Sequence, residues 1–529
     1  MSAPRGRPSG AIALAITVAL VATGFISAPV AHAAGNGPSV RLVAGTDKVT
    51  LKRPPGRRAY LDIGAYVASI GGAFEVWASR PDYDSSVSIW QVVRSGGTIT
   101  KYALPSWVEH DWMGLSKFIH VVVTDAHGKT VVDRYHAFCP GAGELSRVSD
   151  DGPDVSTYPQ FCGGNPFTLG AVWGIDSGWA SSAFGYGTND TIKGPDGHYT
   201  ATVSINPEYQ TLFSIDPANA SISVDVRVKT TKGNTCLPFC WGTDGAGRGG
   251  RHGDLSLGTP SASVPIMTNP DLSIRPDLVA LPAWGISINH QRRGNRDFLD
   301  FGATVWDRGP SPMVVEGFRR PGEPIMDGWE YFYSNGEPIG RAPAGDLMYD
   351  ARPGHQHWHF EQFARYSLLG ADETQIIRSE KTGFCLAPTD AIDMTVPGAD
   401  WSPYSVGLST ACGSRNSIWT REVLPSGWGD TYFQGLPGQS FDVTDLPNGR
   451  YFIAVEANPD GLLIEGSTAN NTELREIRLR GTRGNRSVIV PPWHGIDTEG
   501  NGGNSGGGGG LPVPTPLPPH AEMRSLVVG

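Results

Sequence analysis

Short runs rich in Val, Ile, Thr, Tyr and Phe, broken about every ten residues by Gly, Pro, Asn or Asp, set the tightest limit on how this chain can fold. The stretches FIHVVVTD, YTATVSIN, ISVDVRVK and YFIAVEAN are examples. Their side chains alternate in character with a period of two, as strands require. With 69 glycines and 42 prolines in 529 residues, turn signals end most runs before a long helix could form. The expected fold is mainly β, built from antiparallel β-sandwich-type domains.

Composition along the chain suggests where those domains lie. The first seven residues carry Arg5 and Arg7 and no acid, an uncharged apolar run follows from Ala11 to Ile26, and Ala31-His32-Ala33 comes next. This order of basic, apolar and small-x-small segments reads as a secretory signal peptide over residues 1–33. Residues 38–145 read as a β module of immunoglobulin-like sandwich type, 146–265 as a second β module, and 270–480 as a third, larger unit. Residues 481–529 read as a Gly/Pro-rich disordered tail, whose composition cannot bury enough apolar surface to fold.

Export would place the six cysteines where disulfides persist. Sequence order suggests Cys139 with Cys162, Cys236 with Cys240, and Cys385 with Cys412, although six cysteines allow fifteen connectivities. A formal charge of −10 argues against nucleic acid as a partner and suits cationic substrates. GHYTATVSINP at 197–207 echoes GRYFIAVEANP at 449–459 in Gly, Tyr, Val, Asn and Pro. The second module is therefore either a degenerate repeat of the third or a unit that shares its turn chemistry.

The stretch GHQHWHFEQFARYSLL spaces His355, His357 and His359 two residues apart. On a strand the three imidazoles share one face, with Trp358 opposite and free to anchor in the core; on a helix the middle one would point away. Three imidazoles with open coordination positions suit zinc in a hydrolase or copper in a redox enzyme, and the triplet by itself does not choose.

Other residues carry a resemblance. The histidine segment, EKTGFCLAPTD, and GDTYFQGLPGQSFDVTDLPNGRYFIAVEANPDGLLIEGSTANN resemble, in the same order, landmark segments of the lysyl oxidase family. RPDLVALP is similar to that family's opening segment, so the resemblance covers roughly residues 274–480 and is silent on the first half of the chain. It implies copper on His355, His357 and His359, and a lysine tyrosylquinone made by oxidative joining of Lys381 to Tyr432. It also implies a β catalytic domain. Animal members carry a His where Arg365 precedes Tyr366, and a Cys near the positions of Pro353 and Gly354; this chain has neither.

The chemistry is coherent apart from the family. Oxidising an amine needs an electrophilic carbonyl as electron sink, which ordinary side chains lack and a built-in quinone supplies. A base must also take the α-proton, and Asp430, two residues before Tyr432, is the candidate, with a turn or supporting role as the alternative. Alone, Lys381 would read as a surface charge and Tyr432 as a packing residue. Together with the histidines they point to a secreted copper amine oxidase converting peptidyl lysine or small primary amines to aldehydes with O2, releasing ammonia and hydrogen peroxide. The N-terminal modules would position substrate or bind matrix, and no membrane contact is expected once the signal is cleaved. The alternatives are a zinc hydrolase using the same histidines, or a non-catalytic secreted protein in which metal staples a β domain.

Overall fold

In a computed structural model, the chain is described over residues 37–231 and 260–499, apart from 110, 144, 161, 164, 185–189, 261–262, 292–293, 321–322, 353–355, 380, 382, 404–407 and 434–438. The signal segment, the Cys236/Cys240 pair, His355 and residues 500–529 of the expected tail lie outside the described residues; its first part is not a disordered tail, since Asn485–Ile489 pairs as a strand with Thr472–Thr482. Strands dominate, and the one α-helix among the described residues is Pro207–Leu212. No described helix is long and apolar enough to cross a membrane.

Alternation works as the sequence suggests where a sheet has one wet face. In Ser221–Thr230, Val224, Val226 and Val228 are buried while Asp225, Arg227 and Lys229 are exposed. The long strand Arg296–Asp307 differs, with continuous burial over its second half because other layers cover both faces.

Four sheets, one of them only two strands wide, build the N-terminal half around one core that includes Phe74, Phe118, Phe138, Val203 and Tyr209. Their strands cross the sequence boundary expected near residue 145. Trp179–Ser182 pairs with Ala65–Ile70, Gly170–Ile175 with Phe74–Ser79, and Gly197–Ile205 with Leu115–Asp125. Lys48–Arg53 closes one edge by pairing in parallel with Ser221–Thr230. Because these pairings leave neither segment a complete sheet of its own, we propose that residues 39–230 fold as one unit.

The C-terminal half has three further sheets. One is centred on Arg296–Asp307, which pairs with Trp428–Tyr432. A second runs in the order His357–Phe360, Glu337–Asp350, Ile325–Ser334, Met313–Arg319, Trp419–Leu424. A third has Gly449–Ala457 at its centre. The halves meet closely: Leu169 N–H donates to Ile392 O at 2.7 Å, Met394 N–H donates to Gly170 O at 2.9 Å, and Tyr158 stacks on Trp401 at 5.8 Å.

The sequence echo corresponds to a shared corner. Tyr199 Oη donates to Pro195 O and Tyr451 Oη to Pro447 O, both at 2.7 Å, so each ring ties the start of its strand to the turn before it. After the strands the two segments part: Asn206 caps the short helix, whereas Asn458 takes a positive φ of 41° and its side chain holds Leu463 on both sides. Shared corner chemistry is enough to account for the matching Gly and Tyr. Tyr451→Phe is expected to cost about 1 kcal/mol of stability, read as a lower midpoint in denaturant unfolding with unchanged slope.

Candidate active site

The strand His357–Phe360 pairs antiparallel with Glu337–Asp350, setting Asp350 opposite His357 and Met348 opposite His359. Alternation turns the two histidines to one face and Trp358 to the other. Trp358 is fully buried, its indole donates to Ser414 O at 2.8 Å, and its backbone N–H donates to Cys412 O at 3.0 Å. The face carrying the imidazoles is thereby fixed.

The Nε2 atoms of His357 and His359 lie 2.9 Å apart. Two nitrogens each about 2.0 Å from one ion and at right angles around it would stand about 2.8 Å apart, so the pair suits neighbouring positions on a single tetragonal metal ion. Among the described residues no third His, Cys, Asp or Glu completes a ligand group with them. The remaining member of the motif, His355, falls outside those residues. His359 Nδ1 is 3.7 Å from Asp350 Oδ2, and the same carboxylate binds Arg352 at 2.9 and 2.6 Å. A carboxylate behind the second ring nitrogen is the usual support of a metal-binding imidazole.

The lysine segment is locked to this strand at two points. Phe360 and Phe384 exchange backbone hydrogen bonds of 2.7 and 3.0 Å, and Cys385 is disulfide-bonded to Cys412, whose carbonyl holds Trp358. At Gly383 a Cβ would come within 2.4 Å of Glu361 Oε1 and 2.8 Å of His359 Cβ, so only glycine lets the backbone pass this close. The Cys139–Cys162 bridge also forms, in the N-terminal half.

This brings Lys381 against Tyr432, fifty-one positions later in the sequence. Lys381 is 2% exposed, its Nζ lies 4.3 Å from the centre of the Tyr432 ring and 5.0 Å from that of Phe384, and it has no hydrogen-bond partner among the described residues. Burial lowers its pKa to about 8, opposed by the Asp430 carboxylate and assisted by the Arg352 cation. Tyr432 Oη accepts from Cys385 N–H at 3.0 Å and lies 3.2 Å from Cys385 O. Burial holds this phenol well above its ordinary pKa, and the carboxyls of Asp430 and Glu422 push the same way.

Asp430 and Tyr432 share a face of Trp428–Tyr432, opposite Val305 and Ala303 of the central strand. Asp430 is 2% exposed and its Oδ2 has no hydrogen-bond partner among the described residues. Burial raises its pKa well above the carboxylate range, while Lys381 and a hydrogen bond with Tyr432 act in the opposite direction. The site thus gathers a buried amine, a half-buried phenol and a buried carboxyl, all disfavoured as ions.

Two residues escaped the sequence reading. Glu422 is fully buried, its Oε2 accepts from Leu386 N–H at 3.1 Å, and burial drives its pKa well up. The alternation in WTREVL puts it on the same face as Thr420 and Leu424, so an inward carboxyl was legible there. Phe384, edge-on to Tyr432 at 4.9 Å and to Tyr366 at 5.8 Å, walls the site, and nothing in its sequence position marked that role. Arg365, which stands where animal relatives of the resembled family carry a His, binds Asp460 at 2.6 Å.

Comparison with known proteins points in the same direction. Residues 341–488 match the family model described as lysyl oxidase. Over 129 residues, 24% of this chain, the sequence is 30% identical to protein-lysine 6-oxidase of Rattus norvegicus and of Sus scrofa, covering 28% and 45% of those proteins. It is 26% identical over 174 residues to lysyl oxidase homolog 2 of Gallus gallus, covering 20% of that protein. The chain therefore spans less than half the length of these relatives.

The lowered Lys381 pKa carries a stability signature. The group binds fewer protons folded than unfolded between about 8 and 10.5, so its burial penalty is full below that window and fades as pH rises through it. Lys381→Met is expected to stabilise the metal-free chain at neutral pH by an amount on the order of 2 kcal/mol, a gain that shrinks as the pH approaches about 10. Denaturant titrations of both chains across that range measure it.

Proposed function

We propose, on the premise that residues 341–488 form a lysyl oxidase family domain, that this chain is a copper- and quinone-dependent amine oxidase acting outside the cell. A primary amine, dioxygen and water would give an aldehyde, ammonia and hydrogen peroxide. The observation that carries the reading is the buried Lys381 amine 4.3 Å from the Tyr432 ring. A zinc hydrolase would have no need of that contact.

His357 and His359, with His355, would hold the copper ion, and Asp350 would steady His359 from behind. Bound copper with dioxygen supplies the oxidation that turns the Tyr432 ring into a carbonyl-bearing electron sink joined to Lys381. The chain's own residues prepare for this. Burial favours the neutral Lys381 amine, the form with a free lone pair for bond formation. The Cys385 backbone fixes the Tyr432 oxygen, and Phe384 packs edge-on against the ring and limits its tilt. Asp430, on the same face and with one oxygen unpartnered among the described residues, is the group we assign to take a proton from the substrate α-carbon. Primary amines, including protein lysine, are the substrate class, and the relatives' names bear on that choice: two are protein-lysine 6-oxidases.

Mass spectrometry of a digest of the copper-loaded full chain tests the reading. A single species containing the Lys381 and Tyr432 peptides joined is expected, with phenylhydrazine colouring the protein and stopping peroxide release. Separate, unmodified peptides would exclude the quinone and leave the zinc hydrolase or a metal-stapled binding protein. Lys381→Arg and Tyr432→Phe are each expected to reduce peroxide formation to background.

A further inference from the structure

The back of the site strand is held by the N-terminal half. Asn165 is 1% exposed, and its Nδ2 donates to Thr304 Oγ1 at 2.7 Å across the junction between the halves. The amide cannot turn over without loss, because its Oδ1 accepts from Phe167 N–H at 3.0 Å. Thr304 Oγ1 also receives the Trp284 indole N–H at 3.4 Å and stands 2.7 Å from Thr431 Oγ1.

These contacts fix the direction of the hydroxyl chain. With two donors on its oxygen, Thr304 has only its own proton left to offer, and it goes to Thr431. Thr431, having accepted that proton, keeps its own for Asp390, whose acidity its hydroxyl strengthens; the Thr389 hydroxyl lies 3.3 Å from the same carboxyl and 3.1 Å from Gly429 O. Thr431 is the residue between Asp430 and Tyr432, and its side chain is on the opposite face of the strand. Thr304 pairs with it in register, and Asp390–Ala391 forms its other neighbour.

We propose that Asn165 is a positioning residue of the Lys381–Tyr432 site: from the N-terminal half it orients the Thr304 and Thr431 hydroxyls onto the buried Asp390 carboxylate, fixing the strand that carries Asp430 and Tyr432. The catalytic importance of that strand rests on the function proposed above; the hydrogen-bond order does not. The relay matters most when Asp390 is ionised. Burial raises the Asp390 pKa to about 6, with the Thr431 and Thr389 hydroxyls acting against it. Asp430, on the other face of the strand, feels the Asp390 charge, which helps it retain its proton, while the packed segment at 165–168 carries no charge. A folded pKa above the ordinary carboxylate value means that ionising Asp390 costs stability as pH rises through about 6, and the oriented hydroxyls reduce that cost.

Thermal unfolding of the metal-free full chain at about pH 5 and about pH 8, on either side of the Asp390 transition, provides the test. Asn165→Ala and Thr304→Val are each expected to lower Tm by about 1–2 °C more at the higher pH than at the lower. Thr304→Ser should behave as wild type, and in an Asp390→Asn background the pH-dependent difference should vanish. A deficit equal at both pH values, or one that survives Asp390→Asn, would overturn the proposal. In the copper-loaded chain, Asn165→Ala is expected to lower kcat several-fold and shift the pH profile with little change in KM; an unshifted profile with full kcat would refute the positioning role. If wild type oxidises no amine, the proposed function fails, and the metal-free unfolding pattern alone decides the hydrogen-bond order.

Discussion

Holding a primary amine against a phenol ring with no hydrogen-bond partner is unfavourable, since an ammonium group is strongly solvated in water. Much of the C-terminal half can be understood as the framework that makes Lys381 stay beside Tyr432. The Phe360–Phe384 backbone bridge and the Cys385–Cys412 disulfide tie the lysine segment to the histidine strand, and Cys412 in turn holds Trp358. The Cys385 backbone then grips the Tyr432 oxygen. Histidines, lysine and tyrosine, drawn from three separate segments, are thus connected by neighbouring backbone contacts.

The electrostatics follow from the same burial. Lys381 loses affinity for its proton, while Tyr432, Asp430 and Glu422 gain it, and desolvation is the leading cause for each. The opposite charges that could form on Lys381 and Asp430 moderate one another. A site that suppresses ions favours a neutral amine as nucleophile and a carboxyl able to hold a proton near neutrality.

The boundary expected near residue 145 runs through shared sheets. A break in composition near residue 145 reads as a boundary, yet the strands after it complete sheets begun before it. Strand order is invisible in a linear pattern, because alternation says which face is buried and not which strand lies alongside. The same holds for the path from Asn165 to Asp390, whose members come from sequence positions too distant for any local motif to link.

The sequence by itself determined the mainly β class, through alternation and dense turn signals. It also determined the identities of the chemical groups: histidines at strand spacing, then a lysine, two cysteines and a tyrosine in a recognisable order. Those are local properties, written in side-chain type and period. Only the tertiary structure decided that Lys381 meets the Tyr432 ring at 4.3 Å and that Glu422 and Phe384 wall the site. It also decided that Asn165 of the first half reaches Thr304, behind the strand that carries Asp430 and Tyr432. The physical reason is that desolvation and long-range pairing depend on what the remainder of the chain stacks over each residue, which no short stretch can specify.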